Sequence, residues 1–408
     1  MQEVIVIESN SAGNGAAALK AAKEMGYVAH FLTSDPREYV NARKNPIDCA
    51  DIVTTIATKD ITKLLHFVTG RNIASVLAFT DYEVVQAAIV GEYLRLNTPP
   101  LAGILNCRFK DLFRKASAGT GWTPRFATMT SAYSGTSSPI GYPCIVKPVD
   151  ESGSVGVKKC NNDFEFVTAV NEICAVSVNY FGYIRANRIL VEEFIPGSEF
   201  SAEMAWHPDE QRFVLLGVTR KEVTPPPYSI EVGHSFPFLD ANNPLIEKQI
   251  GTILQKVGLK NIVCHVEFKL RPEGVGIIEV NPRIGGDNIL DLVEYCTGID
   301  MAKLQLEITL GKFDSVQNQV SKKRHGAIRF FLPHKAGIVE SIIINKTPEV
   351  INVFTVKLPC EARQSAMSND DRLGAVIVSG ISQASAMQQA TFLVDQAVFT
   401  YQQADRLV

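Results

Sequence analysis

The sequence lacks several features that define whole classes of protein. Its eight cysteines include no Cys-x-x-Cys pair, and the Gly-x-x-x-x-Gly-Lys phosphate loop is absent. Apolar runs such as Val4–Ile7 are far shorter than the roughly 18 residues that span a bilayer. Lysine and arginine total 40 against 43 acidic residues, without the basic excess of nucleic-acid-binding proteins. We therefore expect neither a nucleic acid nor a membrane as a partner.

The scattered cysteines and the first residues indicate a cellular compartment. Several cysteines lie in strand-like runs, as Cys144 does in Tyr-Pro-Cys-Ile-Val-Lys. Buried free thiols in a reducing environment explain this distribution better than disulfides or a zinc site. The N-terminal stretch is typical of a first strand, because no basic region precedes its apolar residues as in a signal peptide. We therefore expect a cytoplasmic protein.

The chain of 408 residues is long enough for two or three domains. Strand and helix patterns alternate at first, which predicts a Rossmann-like leading domain over residues 1–104, with a parallel sheet between helices. Hairpins and helices then mix, which predicts an α+β central domain over 105–314 and a smaller α+β domain over 315–408. Helices are expected from about Arg108 to Ala118 and from about Ala384 to Gln403. The predicted fold class is a multidomain chain of α/β and α+β parts.

A glycine stretch after the first strand partly matches a dinucleotide-binding motif. Gly13-Asn14-Gly15 opens a helix, but Ala18 stands where the third glycine of Gly-x-Gly-x-x-Gly is expected. Asp35 is only a loose candidate for the acidic residue after the second strand. A nicotinamide oxidoreductase would depend on this stretch alone. We favour the alternative, a tight turn that leads into a helix.

The stretch from residue 262 to residue 283 carries the sharpest signal. It predicts two strands, residues 262–270 and 276–281, whose hairpin turn is centred on Glu273. Pairing about that centre places Glu267 opposite Glu279. Side chains alternate between the two faces of a strand. The polar face carries His265, Glu267, Glu279 and Asn281. The core face is expected to carry Val266, Phe268, Leu270, Ile278 and Val280.

This polar face predicts a metal site. Two carboxylates about 5 Å apart repel each other, so a positive group is expected between them. Oxygen ligands from Glu267, Glu279 and Asn281 suit Mg²⁺ that bridges substrate phosphates. The alternative is a solvated face on which the glutamates point apart. The Pro-Arg-Ile-Gly-Gly run that follows, with Arg283, adds a cation and flexible backbone, and we therefore favour the metal site.

Two further stretches are less specific. Lys147 ends a buried strand, and the small-residue loop Ser152–Gly156 can lay backbone N–H groups along phosphate oxygens. Such a loop is also typical of a plain hairpin. In the third stretch an apolar strand leads into Glu192 and Glu193, a Pro-Gly turn, and a strand that begins at Glu199.

Together these segments resemble the ATP-grasp superfamily over nearly the whole chain. The order agrees: a Rossmann-like leading domain, Lys110 at a helix start, Lys147 with its glycine loop, Glu-Glu-Phe-Ile-Pro-Gly-x-Glu, and Glu-x-Asn-Pro-Arg ending at Arg283. Within the superfamily the chain is most similar to bacterial L-amino acid ligases, which make dipeptides. This similarity rests on three motifs, Asn281-Pro-Arg-Ile-Gly-Gly286, Glu231-Val-Gly-His234-Ser-Phe-Pro237 and Arg372-Leu-Gly-Ala-Val-Ile-Val-Ser-Gly380.

The resemblance implies a nucleotide and metal site. The ATP phosphates would contact Lys110, Lys147 and the lid residues Ser152, Gly153, Ser154 and Gly156. The adenine would contact backbone atoms of Glu192, Glu193 and Phe194, and the ribose would contact Glu199. Two Mg²⁺ ions, with Mn²⁺ as an alternative, would be held by Glu267, Glu279 and Asn281.

It also implies an amino acid site. Arg283 and the backbone N–H groups of Gly285 and Gly286 would hold an acyl phosphate. Glu231 and His234 would contact the substrate ammonium, and proton transfer by either is left open. Asp287 would line the amino acid pocket and favour a basic or polar side chain, or would simply cap the helix that follows. Asp81 and Glu83, after a leading-domain strand, are further candidates to face the cleft.

The implied reaction is ATP-dependent carboxylate–amine ligation. The γ-phosphoryl group passes to an amino acid carboxylate, and the amine of a second amino acid attacks the acyl phosphate. Dipeptide, ADP and phosphate are the products. The alternatives are a ligase of a natural-product pathway with a non-amino-acid substrate, and a nucleotide-binding module without turnover. A homodimer is one option for the assembly, since dimers are the commonest closed oligomers.

Overall fold

The computed structural model describes residues 1–40, 42, 44–130, 135–179, 182–225, 229–238, 243–315, 324–356 and 358–402. Within these residues no helix combines the length and the apolar character needed to cross a bilayer. The described chain has a leading parallel sheet, a small antiparallel sheet, a large sheet of eight strands and a C-terminal sheet of three strands. This mixed architecture confirms the predicted fold class.

The leading domain is the predicted parallel sheet with helices. Its strands are β1 (Glu3–Ile7), β2 (Val28–Thr33), β3 (Ile52–Thr55) and β4 (Ile73–Ala78). They pair in parallel in the order β3-β2-β1-β4. Its helices are α1 (Asn14–Glu24), α2 (Pro46–Cys49), α3 (Ile61–Val68) and α4 (Val84–Tyr93). The carboxyl ends of parallel strands meet at one edge, so the segments after β1 and β4 lie at the same edge of the sheet.

The glycine stretch forms the tight turn that we favoured. Gly13 has a φ of 81°, and a Cβ there would lie 2.4 Å from the Cβ of Lys44. The buried Asn14 side chain donates from Nδ2 to the backbone oxygen of Gly285 at 2.9 Å. The turn therefore joins the leading domain to the loop that follows Arg283.

The central part begins with two helices and a small antiparallel sheet. The helices are α5 (Leu101–Arg108) and α6 (Lys110–Ser117), followed by α7 (Asp163–Cys174). The sheet has the order β5-β8-β6-β7, formed by β5 (Phe126–Thr130), β6 (Cys144–Pro148), β7 (Lys158–Cys160) and β8 (Arg188–Glu193). The helix predicted from Arg108 to Ala118 is wrong at its start, because Phe109 is extended and separates α5 from α6.

The remaining elements form the two other sheets. The strands are β9 (Glu199–His207), β10 (Arg212–Val223), β11 (Glu231–Phe236), β12 (Val263–Arg271), β13 (Gly274–Asn281), β14 (His325–Phe330), β15 (Gly337–Ile343), β16 (Val350–Thr355), β17 (Cys360–Ala362), β18 (Gly374–Gly380) and β19 (Val398–Tyr401). The helices are α8 (Pro244–Lys256), α9 (Ile289–Thr297), α10 (Met301–Thr309) and α11 (Gln383–Asp395).

The large sheet runs across the predicted domain boundary at residue 315. Its order is β13-β12-β9-β10-β11-β14-β18-β16, and β15 pairs with β17 and β19 in the three-stranded sheet. The helix predicted from Ala384 to Gln403 is too long. It ends at Asp395, and the alternating run Val398–Tyr401 pairs with β15 instead, because aromatic and β-branched residues suit a half-buried strand.

The central hairpin has the predicted pairing, with one irregularity. Glu267 lies opposite Glu279, but the next pair is Phe268 with Ile277, so Ile278 is an extra residue. Such a bulge shifts the alternation of side chains. Ile277 is therefore fully buried and Ile278 lines the cleft described below, which corrects the prediction for Ile278. Leu270, also predicted for the core, is 43% exposed near the turn.

Gly374 offers a test of the join between the large sheet and its edge strand. Its φ is 135°, and a Cβ would lie 2.2 Å from the backbone oxygen of Phe354. We expect Gly374→Ala to lower the free energy of unfolding by about 3 kcal/mol in urea titrations, since strain and clash add. Gly70→Ala is the control: its φ is 77° but its surroundings are open, so about 1 kcal/mol is expected. Equal losses would contradict this account.

Candidate active site

A cleft of about 480 Å³ lies where the leading sheet, the small sheet and the large sheet meet. It is bordered by the segments after β1 and β4, the loop after β6, the end of β8, the β12–β13 hairpin and a C-terminal segment at residues 369–372. All predicted site residues line this cleft except Gly156, His234 and Gly285. The tertiary structure thus brings together residues that lie up to 177 positions apart in the predicted set, from Lys110 to Asp287.

The predicted metal ligands lie side by side on the hairpin. Glu267 faces Glu279, and Asn281 pairs with His265 two register positions along the hairpin. Lys221 Nζ lies 2.7 Å from Glu267 Oε1, and Lys110 Nζ lies 3.0 Å from Glu279 Oε1. Each of the two carboxylates thus forms an ion pair with its own lysine. A donor set of two carboxylates and one amide oxygen at the cleft wall fits Mg²⁺.

Lys221 is the centre of the acidic cluster, and the sequence analysis did not identify it. Its ammonium lies 3.0 Å from Glu231 Oε1 and 3.6 Å from Glu199 Oε1, besides Glu267. Burial opposes its charge, but the three carboxylates raise the pKa of Lys221 well above its usual value. Burial raises the pKa of Glu199 to about 7, although Lys221 counteracts this. Burial also acts on Glu267, yet Lys221 and His265 hold its pKa well below the usual value.

A second buried set lies at the predicted nucleotide end. Arg114 Nε donates to Glu192 Oε2 at 2.5 Å, and Lys147 forms an ion pair with the other oxygen of Glu192. Burial lowers the pKa of Lys147, although the charge of Glu192 opposes the change. The Glu192 side chain is therefore occupied within the protein. The contact of its backbone with adenine stays a prediction, as does the contact of Lys147 with phosphates.

The predicted lid lies beside these residues. Gly153, Ser154 and Gly156 have φ values of 63°, 62° and 73°, so the loop turns sharply and exposes backbone groups. Its base is held at Glu151, whose carboxylate accepts from Tyr82 at 3.1 Å. Glu151 also accepts from Asn179 at 3.2 Å and lies 3.4 Å from Arg185.

Arg283 lies at the junction with the leading domain. Its Nε donates to Asp81 Oδ1 at 2.9 Å, and Nη2 donates to Asp81 Oδ2 at 2.5 Å. Asp81 and Glu83 both line the cleft, which confirms their expected position. Burial raises the pKa of Glu83 to about 7. Gly286 also lines the cleft.

A third cluster combines Glu231, His234 and Asp287. His234 is fully buried behind the cleft wall, and its Nε2 lies 3.3 Å from Glu231 Oε2 and 3.5 Å from Asp287 Oδ2. Asp287 accepts from Arg372 at 2.9 and 2.6 Å, and Arg372 lies over the ring of Phe330 at 4.0 Å. Burial opposes ionisation of Asp287, but Arg372 holds its pKa well below the usual value. The three groups are close enough for a metal ion, yet Lys221 and Arg372 already match their charge.

This geometry tests one of the two hypotheses for Asp287, that it caps the helix that follows. Helix α9 begins after Asn288, whose φ is 60°, and no side chain caps it. The capping hypothesis is therefore wrong. The cation that pairs with Asp287 is Arg372, from the segment before β18.

The sequence analysis also did not identify the pairing of His265 with Glu203. His265 Nδ1 lies 2.8 Å from Glu203 Oε1, and His265 Nε2 lies 3.4 Å from Glu267 Oε1. Burial counteracts protonation, but Glu203 raises the pKa of His265 to about 9. The spacing His-x-Glu on one strand face was visible in the sequence, whereas Glu203 becomes a partner only through the pairing of β9 with β12.

One stretch of the chain matches a known family of domains. Residues 140–291 match the family model of the ATP-grasp domain. An uncharacterized protein of Sinorhizobium fredii, y4rH, is 23% identical over 415 residues, which cover 98% of this chain and 84% of that protein. The carbamoyl phosphate synthase large chain of Pseudomonas aeruginosa is 23% identical over 333 residues, 76% of this chain but only 29% of that protein.

Solved structures show the same fold over the whole chain. An L-amino acid ligase from Bacillus licheniformis superposes with a TM-score of 0.83 at 20% identity, covering 99% of both chains. A phosphoribosylglycinamide synthetase from Anaerococcus prevotii has a TM-score of 0.69 at 19% identity, covering 98% of this chain and 100% of that one. The chain therefore has the ATP-grasp fold, as the sequence motifs predicted.

Replacing Lys221 tests the acidic cluster. We expect Lys221→Met to lower the free energy of unfolding by about 3 kcal/mol at pH 8, because three carboxylates lose their shared cation. Without Lys221, which lowers the pKa of Glu199 and of Glu267, burial raises both pKa values above the unfolded-state values, so the folded variant binds protons as the pH falls. The loss should shrink between pH 8 and pH 5 in urea titrations. The exposed Lys248→Met is the control and should change little. A loss that does not vary with pH would contradict this prediction.

Proposed function

We propose that this chain, whose central part is an ATP-grasp domain, is an ADP-forming ligase that joins two amino acids. The observation that carries the proposal is the position of two clusters in one cleft. The oxygen ligands Glu267, Glu279 and Asn281 line this cleft, and so do Glu231 and Asp287. The first cluster suits a metal–nucleotide complex, and the second suits an ammonium group. The fold shared with the L-amino acid ligase of Bacillus licheniformis supports this choice.

The nucleotide end of the cleft is rich in buried cations. Lys110 and Lys147 are 7% and 3% exposed, so their charges act with little screening by water. Both would neutralise ATP phosphates beneath the lid Ser152–Gly156. Glu267, Glu279 and Asn281 would hold Mg²⁺, which supplies charge neutralisation for the transferred phosphoryl group. Lys110, which pairs with Glu279, would then be released toward the phosphates.

The reacting carboxylate would lie near Arg283. Phosphoryl transfer needs little covalent chemistry from the protein, so positioning and charge account for most of the catalysis. The guanidinium of Arg283 can hold two oxygens of the acyl phosphate at once. Gly286 adds backbone at the same place without a side chain in the way.

The amine end would be formed by Glu231, with His234 behind it. An acceptor amine must lose a proton before it attacks, and a nearby carboxylate or imidazole can take that proton. Glu231 lines the cleft and His234 does not, so Glu231 is the residue that we expect to touch the ammonium. His234, 3.3 Å away, would receive or share the proton.

The function is tested by phosphate release across all pairs of the twenty amino acids, with ATP and Mg²⁺ and mass spectrometry of the products. We expect pair-dependent release and a product mass equal to the two acids minus water. Glu279→Gln should reduce the rate at least about 10²-fold, because it removes a metal ligand. Glu273→Gln, in the exposed turn of the same hairpin, is the matched control and should retain the rate.

Silence across the panel would contradict an amino acid ligase. A second candidate is a ligase that acts on a larger or non-amino-acid substrate, as in a natural-product pathway. It is favoured by the extension of the cleft to Glu8, Ser34 and Tyr39 at the edge of the leading sheet. Phosphate release with amines, but with no amino acid pair, would support this candidate.

The pairing of Asp287 with Arg372 also bears on specificity. Because Arg372 already supplies the cation, we expect a neutral polar side chain in the native pocket. In Arg372→Met the carboxylate of Asp287 would be free to pair with a basic substrate. The ratio of kcat/KM for lysine to that for serine should then rise about tenfold.

Arg329→Met is the control for this prediction. Arg329 pairs with Glu222 at 2.7 Å on β14, outside the residues that line the cleft. Its removal should leave the ratio unchanged. A ratio that is the same in both variants would exclude Asp287 from side-chain selection.

A further inference from the structure

The segment after β4, residues 79–83 of the leading domain, lines the cleft. Asp81 binds the guanidinium of Arg283 through both carboxylate oxygens, at 2.9 and 2.5 Å. The two side chains are only 11% and 13% exposed. Burial opposes ionisation of Asp81, yet Arg283 keeps its pKa below the usual value. The contact is therefore a buried, bidentate ion pair between two parts of the chain.

The remaining donors of Arg283 are limited in number. A guanidinium carries five N–H bonds in a rigid plane. Two of them point to Asp81, and Nη1 donates a third to the backbone oxygen of Ile284 at 3.0 Å. Among the described residues these are the side-chain hydrogen bonds of Arg283, which leaves two N–H bonds, one on each Nη atom, for a ligand. Because the plane is rigid, holding three bonds also sets the direction of these two.

The neighbouring residue adds a second tie to the same segment. Tyr82 donates to Glu151 at 3.1 Å, and Glu151 is the residue directly before the lid Ser152–Gly156. Consecutive residues of the leading domain thus contact the arginine and the base of the lid. The leading domain is therefore connected both to the predicted lid and to Arg283 in the proposed active site.

We propose that Asp81 is a positioning residue that orients Arg283 toward the reacting carboxyl group. The proposal rests on the proposed function for the identity of that group. Asp81 acts through Arg283 and does not itself touch the substrate. Its removal would leave Arg283 in place but free to rotate, and an arginine that is misplaced by about 1 Å can cost about 10²-fold in rate.

The first test compares Asp81→Asn with Asp35→Asn in the phosphate-release assay. Asp35 forms the same bidentate pair with Arg37 on the exposed surface of the leading domain, at 2.9 and 2.7 Å. We expect Asp81→Asn to lower kcat about 10²-fold with the KM for ATP changed less than twofold. Asp35→Asn should alter neither. A loss seen mainly in KM for ATP, or no loss in kcat, would overturn the proposal.

The second test is a double-mutant cycle with Arg283→Lys. If Asp81 acts through Arg283, adding Asp81→Asn to the lysine variant should lower kcat less than about threefold, because the guanidinium that Asp81 orients is already absent. Effects that multiply in full would show that Asp81 acts independently of Arg283, and would refute a positioning role.

The third test does not depend on the substrate or on a variant of Asp81. In a ¹H–¹⁵N spectrum of the full chain, the Nε–H of Arg283 should be protected from exchange, and it is assigned by its loss in Arg283→Lys. A protected signal together with silence in every assay would refute the ligase and retain the pairing. Rapid exchange of this signal in an active enzyme would refute the positioning role and retain the ligase.

Discussion

The ion pairs of Lys221 are the interaction on which the cleft depends. One buried ammonium lies among three carboxylates, Glu199, Glu231 and Glu267, which come from three different strands of the large sheet. Without a shared cation these groups could not be ionised so close together, because like charges in a buried site raise each other's pKa. Lys221 therefore allows the proposed ribose, ammonium and metal contacts to exist on one wall. It does so from β10, the strand between β9 and β11.

The same principle is repeated along the cleft. Lys110 matches Glu279, Lys147 and Arg114 match Glu192, and Arg283 and Arg372 match aspartates. Most of these pairs join elements that are distant in the chain. Breaking such a buried pair costs much more than forming it contributes, so the pairs specify how the parts fit together. A bound anionic nucleotide would replace the carboxylates as the partner of the lysines, because a lysine ammonium is a point charge on a flexible side chain. The arginines would stay oriented, because each planar guanidinium is held by two hydrogen bonds.

This division gives the two ends of the cleft different properties. The proposed nucleotide end holds cations that would change partners when phosphates bind. The proposed amino acid end holds arginines that are fixed by bidentate carboxylates, Asp81 for Arg283 and Asp287 for Arg372. A site that must hold a reactive acyl phosphate benefits from fixed donors, because their orientation costs nothing at the moment of reaction. The arrangement is thus consistent with ligase chemistry, for which the fold alone would not be sufficient evidence.

Local sequence pattern was enough to predict the parallel leading sheet, the hairpin with Glu267 opposite Glu279, and the ATP-grasp fold. These features depend on local alternation and spacing, which a sequence displays directly. The bulge at Ile278, the break at Phe109 and the strand after α11 were not predicted, because tertiary pairing overrides local pattern there. The ion pairs of Lys221 with Glu199, of Glu203 with His265 and of Arg372 with Asp287 depend on the tertiary structure. A charged residue in a strand is recognisable, but its counter-ion is set by which strands pair and which domains meet, and no spacing in the chain encodes that distance.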